Sequence, residues 1–261
     1  MKKITAIFLT VLLLVGIVAM SGCSKKEDAQ QQAPQEKVMK IITEASFAPF
    51  EFKEGNDFVG FDIEIIRAIC EDQGYKPEIV HMGFDSLIPA LQAGKADCAI
   101  SGMSITDERK KSIDFSESYF DAGLIIAVVE ANNDIKTLDD LKGKKIAGQV
   151  GTIGADACNA VKEKDPKTEI RTFDAIGEAF MELEKGGVDA VINDQAVTAY
   201  YIKTTGKGKT KMVGDLFSAD DHYGMAVKKG NAEMLKVIND GLASIRANGK
   251  YDEIYQKWFG K

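Results

Sequence analysis

The chain has 261 residues, of which 45% are hydrophobic and 28% are charged, and its formal net charge is −7. This composition is typical of a soluble globular protein and excludes collagen-like, disulfide-dense and wholly disordered chains. The 33 Lys and Arg against 40 Asp and Glu also exclude a general nucleic-acid surface, because no cationic excess is left to neutralise phosphates. A chain of this length often divides into two lobes.

The first 22 residues have the pattern of a secretory signal peptide. Lys2 and Lys3 precede an uncharged apolar run at 4–20, and two small residues follow it. A membrane anchor is the alternative, because the run is close to the lower limit of a spanning helix. Met20-Ser-Gly-Cys23 favours the signal peptide, since it resembles a bacterial lipobox, in which the cysteine is diacylated and becomes the new N-terminus. Met20 stands where that pattern more often has Leu.

Cleavage before Cys23 would leave 239 residues and, with Lys2 and Lys3 lost, a net charge of −9. Residues 23–37 are then predicted to be a lipidated flexible tether, because they are polar and aperiodic; its root-mean-square reach as random coil is about 20 Å. We therefore expect an extracytoplasmic protein, held by its lipid to a bacterial membrane at the cell surface or the periplasmic face.

Three further cysteines remain, at Cys70, Cys98 and Cys158, and no CxxC or Cys/His cluster accompanies them. No metal site is therefore predicted. Cys70 and Cys98 lie in apolar stretches, where cysteine usually behaves as a small buried hydrophobe. Free buried thiols are favoured, and a disulfide between these two stays open.

Short apolar runs alternate with amphipathic helical patterns along the rest of the chain, which indicates an α/β fold. The pattern predicts a strand at 40–43, a helix at 61–71, a strand at 78–80, a helix at 86–92 and a strand at 97–100.

A weak internal repeat suggests two related lobes. One helix is predicted to start at Phe84-Asp-Ser-Leu and leads to a strand preceded by Asp97; a second starts at Phe173-Asp-Ala-Ile and leads to a strand preceded by Asp189. The spacing is 13 residues in the first copy and 16 in the second, so the second copy is predicted to carry nearly one extra helical turn.

Polar residues follow both of these strands. They are Ser101-Gly102-Met103-Ser104 in the first copy and Asn193-Asp194-Gln195 in the second. Open α/β sheets bind ligands beyond the carboxyl ends of their strands. We therefore expect a ligand cleft between the two lobes.

The first of these segments is the densest in candidate contacts. Ser101 and Ser104 offer hydroxyl groups, and Gly102 lets a ligand approach the backbone. Ser104 and Asp107 resemble a capping box, and the N–H groups of a helix there would suit a carboxylate. Arg109 would add a bidentate fork to the same anion. A capped, charged surface helix explains these residues nearly as well, so this segment does not decide the function by itself.

Two aromatic residues and one loop complete the candidates. Phe47 follows the first strand and Phe84 precedes a helix, where each would cover an apolar part of a ligand; core packing is the alternative for either. The segment 148–155 lacks GKS, GKT and GxGxxG, which favours a tight strand-to-helix turn over a phosphate loop. Asp194 is placed to accept a ligand's ammonium group.

An ordered series of short motifs carries a family resemblance. The motifs are Phe47-Ala-Pro-Phe-Glu, Val59-Gly-Phe-Asp, Leu87-Ile-Pro-Ala-Leu, Ser104-Ile-Thr-Asp-Glu-Arg, Ile113-Asp-Phe-Ser, Leu141-Lys-Gly-Lys, Gly151-Thr152, Tyr223-Gly224, and Asn248-Gly-Lys-Tyr up to Lys257-Trp-Phe. Over Met39–Gly260 the sequence resembles the polar amino-acid-binding proteins of ABC importers, solute-binding protein family 3. It looks closest to their glutamine-binding branch.

The resemblance implies a type 2 periplasmic-binding-protein fold. This is an α/β two-lobe clamshell in which each lobe is a mixed sheet flanked by helices and the ligand cleft lies between them. Lobe 1 would comprise residues 38–121 plus 222–261, and lobe 2 residues 122–221. The chain would cross between lobes near Tyr119–Gly123 and Ser218–Tyr223.

The resemblance also implies how the ligand backbone is held. Arg109 would bind the α-carboxylate, assisted by Ser104 and the backbone of Thr152, and Asp194 would bind the α-ammonium. Because these opposite charges come from different lobes, only a ligand carrying both would satisfy them on closure. An unpaired charge in the closed cleft would cost several kcal/mol, on the order of a broken buried pair.

The ligand side chain would lie between Phe47 and Phe84, with polar contacts from Ser101 and Gly102. The whole predicted ligand-binding set is Glu44, Phe47, Phe84, Ser101, Gly102, Ser104, Arg109, Gln149, Thr152, Ile153, Asn193 and Asp194, with no catalytic residue and lipidation at Cys23.

Three departures from the family pattern fall on side-chain contacts. Glu44 stands where the family often has Asp. Glutamate at this position would favour a cationic ligand side chain, or would reach further than Asp to an amide. Ile153 replaces a smaller or hydroxylated residue, and Asn193 stands where the glutamine branch has His. Glutamine and the basic amino acids are therefore both retained as ligands.

These features predict a monomeric binding protein without cofactor that delivers an L-amino acid to the transmembrane subunits of an ABC permease. A cyclohexadienyl dehydratase-like enzyme on the same fold is the alternative, with Glu44 as the acid or base. His81 and His222 lie away from the polar loops in sequence. The length disfavours a lytic transglycosylase or a sensor receptor that carries the same module.

Overall fold

A computed structural model describes residues 36–260. The predicted signal peptide, Cys23 and the tether up to residue 35 lie outside the described residues. Within 36–260, no helix is both long and apolar enough to cross a membrane.

The secondary structure alternates as the periodicity predicts. The elements of the first half are β1 (Lys37–Thr43), β2 (Ser46–Phe47), β3 (Glu51–Glu54), β4 (Asp57–Val59), α1 (Phe61–Asp72), β5 (Tyr75–His81), α2 (Phe84–Gln92), β6 (Cys98–Ala99), α3 (Asp107–Lys110), β7 (Ile113–Phe115), β8 (Phe120–Asp121) and β9 (Leu124–Val129). A 3-10 helix at Leu138–Leu141 precedes β10 (Lys145–Gln149), α4 (Ile153–Lys164), β11 (Glu169–Phe173), α5 (Ile176–Glu184), β12 (Ala190–Asp194), α6 (Gln195–Lys203), β13 (Thr210–Phe217), β14 (His222–Tyr223), β15 (Ala226–Lys228), α7 (Ala232–Ala247) and α8 (Lys250–Phe259). All five elements predicted between 40 and 100 are present. β1 begins at Lys37, the last residue of the expected tether.

Two five-stranded sheets share one topology. Their strand orders are β5-β1-β6-β15-β7 and β11-β10-β12-β9-β13. In each sheet the first three strands are parallel, and the fourth runs antiparallel to both of its neighbours. Helices pack against both sheets, so the predicted α/β fold with two sheet-bearing lobes is confirmed.

The predicted alignment of the internal repeat is wrong by three residues. Phe173 is the last residue of β11, paired with Gln149, and the second helix begins only at Ile176. α2 and α5 each have nine residues. Counted from Phe84 and Ile176, the aspartate that precedes the next strand follows after 13 residues in both copies, so no extra turn exists. Phe173 fits an extended strand as well as a helix start, and the sequence alone does not separate the two.

Both copies tie their aspartate in the same way to the second strand in the order of their sheet, which is β1 in one and β10 in the other. Lys40 N donates a hydrogen bond to Asp97 Oδ2 at 2.7 Å, and Lys145 N donates to Asp189 Oδ2 at 2.8 Å. In return, the N–H of each aspartate donates to the carbonyl of the same lysine. The repeat is therefore real in three dimensions.

The chain passes between the sheets twice, along one antiparallel ribbon. β8 pairs with β14, so that Phe120 lies opposite Tyr223 and Asp121 opposite His222. All five strands of the second sheet lie between residues 124 and 217. The exact lobe limits at 121–122 and 221–222 stay a prediction.

An aromatic cluster surrounds this ribbon and fixes it to α8. The ring centroids of Phe120 lie 4.8 Å from Phe50, 5.6 Å from Tyr223 and 5.0 Å from Phe259. Such pairs contribute roughly 0.5–1.5 kcal/mol each beyond area burial. Through Phe50, the cluster anchors the segment that follows β2, and this positions Phe47, the last residue of β2, at the site.

The three cysteines of the described chain are buried and free. Burial raises the pKa of Cys70 to about 11 and that of Cys158 to about 12. The preference for free thiols is thus confirmed, and both are unreactive as nucleophiles near neutral pH.

Candidate ligand-binding site

Ten of the twelve predicted ligand residues line one cavity between the two sheets. Its first wall carries Phe47, Phe84, Ser101, Gly102, Ser104 and Arg109, and its second wall carries Gln149, Thr152, Ile153 and Asp194. Ser101 follows β6, while Gln149 and Asp194 end β10 and β12. The cavity therefore lies at the carboxyl ends of strands from both sheets, as predicted.

The loop after β6 is fixed from below by buried carboxyl groups. Ser101 Oγ donates to Glu51 Oε1 at 2.9 Å and accepts from Glu44 N at 2.9 Å. Gly102 N donates to Asp62 Oδ2 at 2.8 Å. Gly102 has φ +50°, and a Cβ there would lie 2.9 Å from the Phe47 ring. Only glycine fits this close approach.

The predicted capping role of Ser104 is wrong. α3 begins at Asp107 and is capped by Thr106, whose Oγ1 accepts from Arg109 N at 3.2 Å. Ser104 lies three residues before the helix and donates its hydroxyl to Asp221 Oδ2 at 3.2 Å. Ser104 also forms a backbone bridge with Tyr223, so its backbone and its hydroxyl both contact the segment at 221–223, and the hydroxyl does not cap the helix.

Arg109 extends from α3 across the cleft. Its guanidinium donates to Ser104 O at 2.7 Å and, from the other lobe, to Gly151 O at 3.0 Å. It also lies over the Phe84 ring, 5.3 Å from the centroid. Burial lowers the pKa of Arg109, and three carboxylates, Asp156, Asp221 and Asp194, oppose that shift. The group remains a cation aimed at the cavity.

Asp194 provides the opposite charge from the second lobe. It is only 5% exposed, and Tyr223 donates its hydroxyl to Oδ1. Burial raises the pKa of Asp194 to about 7. None of the ion pairs between residues 36 and 260 includes Asp194. A cationic ligand would therefore stabilise the ionised form of this buried acid.

Thr152 caps α4 at the same wall, since its Oγ1 accepts from Ala155 N at 3.3 Å. The preceding turn follows directly after β10, and Gly151 adopts φ +76° in it. The expected strand-to-helix turn at 148–155 is thereby confirmed. It directs the start of α4, with its backbone N–H groups, to the cavity.

Glu44 lies behind the cavity and touches it through Gln149. Glu44 is 3% exposed, and its Oε2 accepts from Gln149 Nε2 at 3.2 Å across the two lobes. Gln149 Nε2 also donates to Asp174 O at 2.9 Å. Burial is the largest cause that raises the pKa of Glu44, against hydrogen bonds from Ser46 and Gln149.

Asn193 is not brought to the cavity. Its Nδ2 lies 3.4 Å from both Asp194 O and Thr198 Oγ1, so the side chain faces α6. Successive side chains of a strand point to opposite faces. Since Asp194 faces the cleft, Asn193 faces the interior of its own lobe.

Sequence reasoning missed several buried groups that support the site. Asp221 is 8% exposed and joins Ser104, while Tyr223 holds Asp194. Glu51 and Asp62 are fully buried beneath the loop after β6. Glu51, Asp62 and Tyr223 stand within quoted motifs, which was the available signal; Asp221 stands alone in a loop and offers none.

Comparison with known proteins agrees with this architecture. Residues 39–261 match the bacterial extracellular solute-binding proteins, family 3. The chain belongs to this family. A probable histidine-binding protein of Neisseria gonorrhoeae is 37% identical over 95% of this chain and 94% of its own length.

Solved structures of the same fold are also similar. An ancestral arginine-binding protein bound to arginine is 46% identical, with a TM-score of 0.82 over 85% of this chain and 98% of its own. The ancestral amino acid-binding protein AncCDT-1, a precursor of cyclohexadienyl dehydratase, is 40% identical, with a TM-score of 0.77 over 85% of this chain and 95% of its own. Further relatives are named for arginine, glutamine and cystine. The family match thus extends to structure, and no preference for the glutamine branch emerges.

Proposed function

We propose that this chain captures a free L-amino acid with a cationic side chain outside the cytoplasm and delivers it to an ABC permease. One observation carries the proposal: a cation, Arg109, and an unpaired buried acid, Asp194, line the same small cavity from different lobes. An α-amino acid presents a carboxylate and an ammonium on neighbouring atoms, which matches this charge pair.

Binding would couple to closure of the two lobes. Arg109 already donates to Gly151 O across the cleft. A ligand carboxylate would replace this carbonyl as acceptor or share the guanidinium with it. The ammonium would then neutralise Asp194, whose carboxylate has no cation of its own among residues 36–260. Because each charge belongs to a different lobe, a ligand that lacks either group would leave a buried charge unpaired.

The proposed preference for a cationic ligand side chain follows from Glu44. It is a buried carboxylate in contact with Gln149, which lines the cavity beside two aromatic walls, Phe47 and Phe84. A guanidinium, ammonium or imidazolium gains charge pairing and stacking there. The relatives named for arginine and histidine support this ligand class. Glutamine would gain only hydrogen bonds, so we expect it to bind more weakly.

Anchoring through Cys23 and delivery to permease subunits belong to this proposal. Family membership supports an extracytoplasmic role, and the lipobox-like sequence supports lipidation. Mass spectrometry of the mature protein should find acyl chains on an N-terminal Cys23, and an unmodified cysteine would contradict the anchor.

A dehydratase activity is the second candidate, favoured by the likeness to a precursor of cyclohexadienyl dehydratase. Glu44 is the buried acid that such chemistry would use. Turnover of prephenate or arogenate would support the enzyme; their stability in the presence of the protein, together with reversible amino-acid binding, would support the transporter role.

Arg109→Ala tests the proposed function directly. We expect calorimetry with arginine to show at least about a 100-fold loss of affinity, since the ligand carboxylate would be left in the closed cleft without its cation. Arg67→Ala is the matched control, because Arg67 is exposed on α1 and should leave the affinity unchanged. Near-normal binding by a folded Arg109→Ala protein would refute the assigned role.

A further inference from the structure

Two carboxyl groups meet beneath the binding loop without a cation. Glu51 begins β3 and Asp62 lies in the first turn of α1, and both are 0% exposed. Backbone hydrogen bonds from Phe61 N to Pro49 O and from Asp62 N to Phe50 O hold the two elements together. No ion pair within residues 36–260 includes either group.

Each carboxyl group uses one oxygen to hold the binding loop and leaves the other without a partner. Glu51 Oε1 accepts from Ser101 Oγ, and Asp62 Oδ2 accepts from Gly102 N and from the hydroxyl of Tyr119 at 2.6 Å. Glu51 Oε2 and Asp62 Oδ1 are buried and unpartnered. Two ionised carboxylates would leave two such acceptors in contact, which is strongly unfavourable in a buried site.

We propose that Glu51 is a neutral carboxylic acid that donates its proton from Oε2 to Asp62 Oδ1. This one shared proton satisfies both orphaned atoms and leaves a single negative charge. That charge is stabilised by the N–H of Gly102 and the hydroxyl of Tyr119. Glu51 and Asp62 are thus positioning residues for Ser101 and Gly102, which line the ligand cavity.

The surrounding electrostatics agree with one proton on the pair. Burial raises the pKa of Glu51 well above its usual value, and the charges of Asp62 and Glu44 raise it further. A hydrogen bond between the two carboxyl groups raises the pKa of Glu51 and lowers that of Asp62, whose pKa burial raises to about 6. The titratable groups facing the pair are Glu44, after β1, and Tyr119, before β8.

The pair also connects the binding loop to the ribbon between the lobes. Tyr119 donates its hydroxyl to Asp62, and its backbone N–H donates to Tyr223 O beside β8 and β14. Loss of the proton would place two anions in contact beneath the loop, and their mutual repulsion would displace the carboxyl groups that hold Ser101 and Gly102. We therefore expect the loop geometry to depend on the neutral form of Glu51.

Infrared spectroscopy of the ligand-free protein tests the proton itself. At pH 8, above the pKa of Asp194, the wild-type protein should show a carbonyl band of a buried protonated carboxylic acid. Glu51→Gln should remove the band, and Glu54→Gln, on the exposed end of β3, should keep it. If Glu51→Gln fails to fold, ¹³C labelling of glutamate should shift the wild-type band. A wild-type spectrum without the band would overturn the proposal, and so would a band that survives Glu51→Gln. A cation bound between the two carboxyl groups in place of the proton would also overturn it.

Ligand binding tests the positioning role, which rests on the proposed function. The side-chain amide introduced by Glu51→Gln would donate to Asp62 and accept from Ser101, as the neutral acid does, so this variant should bind arginine within about threefold of wild type. Glu51→Ala removes the acceptor of Ser101 and should weaken binding at least about tenfold. Equal weakening by both substitutions would contradict the role of the neutral acid. If no amino acid binds the wild type, the proposed function fails while the infrared result stands independently.

Discussion

Arg109 and Asp194 illustrate how burial turns ordinary charged side chains into recognition groups. Arg109 is half-buried against the Phe84 ring, and Asp194 is buried beside Tyr223. Water solvates both groups poorly, so each gains more from a ligand of opposite charge than an exposed residue would. The net acidity of the chain has little influence on such a local pair.

The raised pKa of Asp194 predicts a pH-dependent affinity. The ammonium binds the carboxylate form, whereas the free protein becomes protonated as the pH falls through about 7. Affinity for arginine should therefore level off near pH 8 and fall about tenfold per pH unit well below 7. Calorimetry at pH 6 in buffers of different ionisation heat should detect release of close to one proton on binding.

The exposed Asp215 supplies the control for this measurement. Asp215→Asn should retain the wild-type pH profile, while Asp194→Asn should bind weakly at every pH. An affinity that stays constant from pH 5.5 to 8 in the wild type would show that Asp194 is not the ammonium partner.

At the scale of elements, the loop between β6 and α3 determines the shape of the cavity. It begins with Ser101 and Gly102, bends back along the ribbon at Ser104, and ends in the four-residue helix that presents Arg109. Glycine at 102 places the backbone directly against the Phe47 ring. The loop is thus built for close contact and has no room for a side chain at that point.

Gly102→Ala should therefore damage the site. The left-handed backbone costs an L-residue about 1–2 kcal/mol, and the new Cβ would lie 2.9 Å from the Phe47 ring. Urea unfolding should show a stability loss of about that size, and arginine affinity should fall as Phe47 moves.

Gly177 in α5 is the matched control, because a Cβ there meets nothing within 4 Å. Gly177→Ala should be neutral or slightly stabilising, by up to about 1 kcal/mol, since alanine favours the helix. Equal losses for both substitutions would argue against the close-contact role of Gly102.

At the scale of the whole molecule, several polar contacts among residues 36–260 already join the two lobes. They include Arg109 to Gly151 O, Gln149 to Glu44 and Tyr223 to Asp194. A bound amino acid would add charge pairs to both walls at once and link the lobes through itself. Binding should therefore stabilise the folded chain as a unit.

Thermal unfolding measures this linkage. At an arginine concentration of 100 times Kd, stability should rise by about 2.7 kcal/mol, which corresponds to roughly 5–10 °C in Tm for a chain of this size. Lysine and histidine should also raise Tm, glutamine less so, and Arg109→Ala should remove the response. No shift with any of the twenty amino acids would contradict the proposed function.

The sequence by itself determined the α/β class, the two related lobes and most of the cavity lining. Helical periodicity, strand-to-helix turns and ordered motifs are local signals, so Arg109, Asp194 and eight further lining residues could be identified before any contact was known. Only the tertiary structure decided the register of the repeat, the cap at Thr106, the inward direction of Asn193 and the pairing of Glu51 with Asp62. The cap at Thr106 is local and depends on where the short helix α3 begins. The face that Asn193 takes and the pairing of Glu51 depend on packing or on a partner distant along the chain, as between Glu51 and Ser101. Local patterns carry no information about such contacts, because packing alone fixes them.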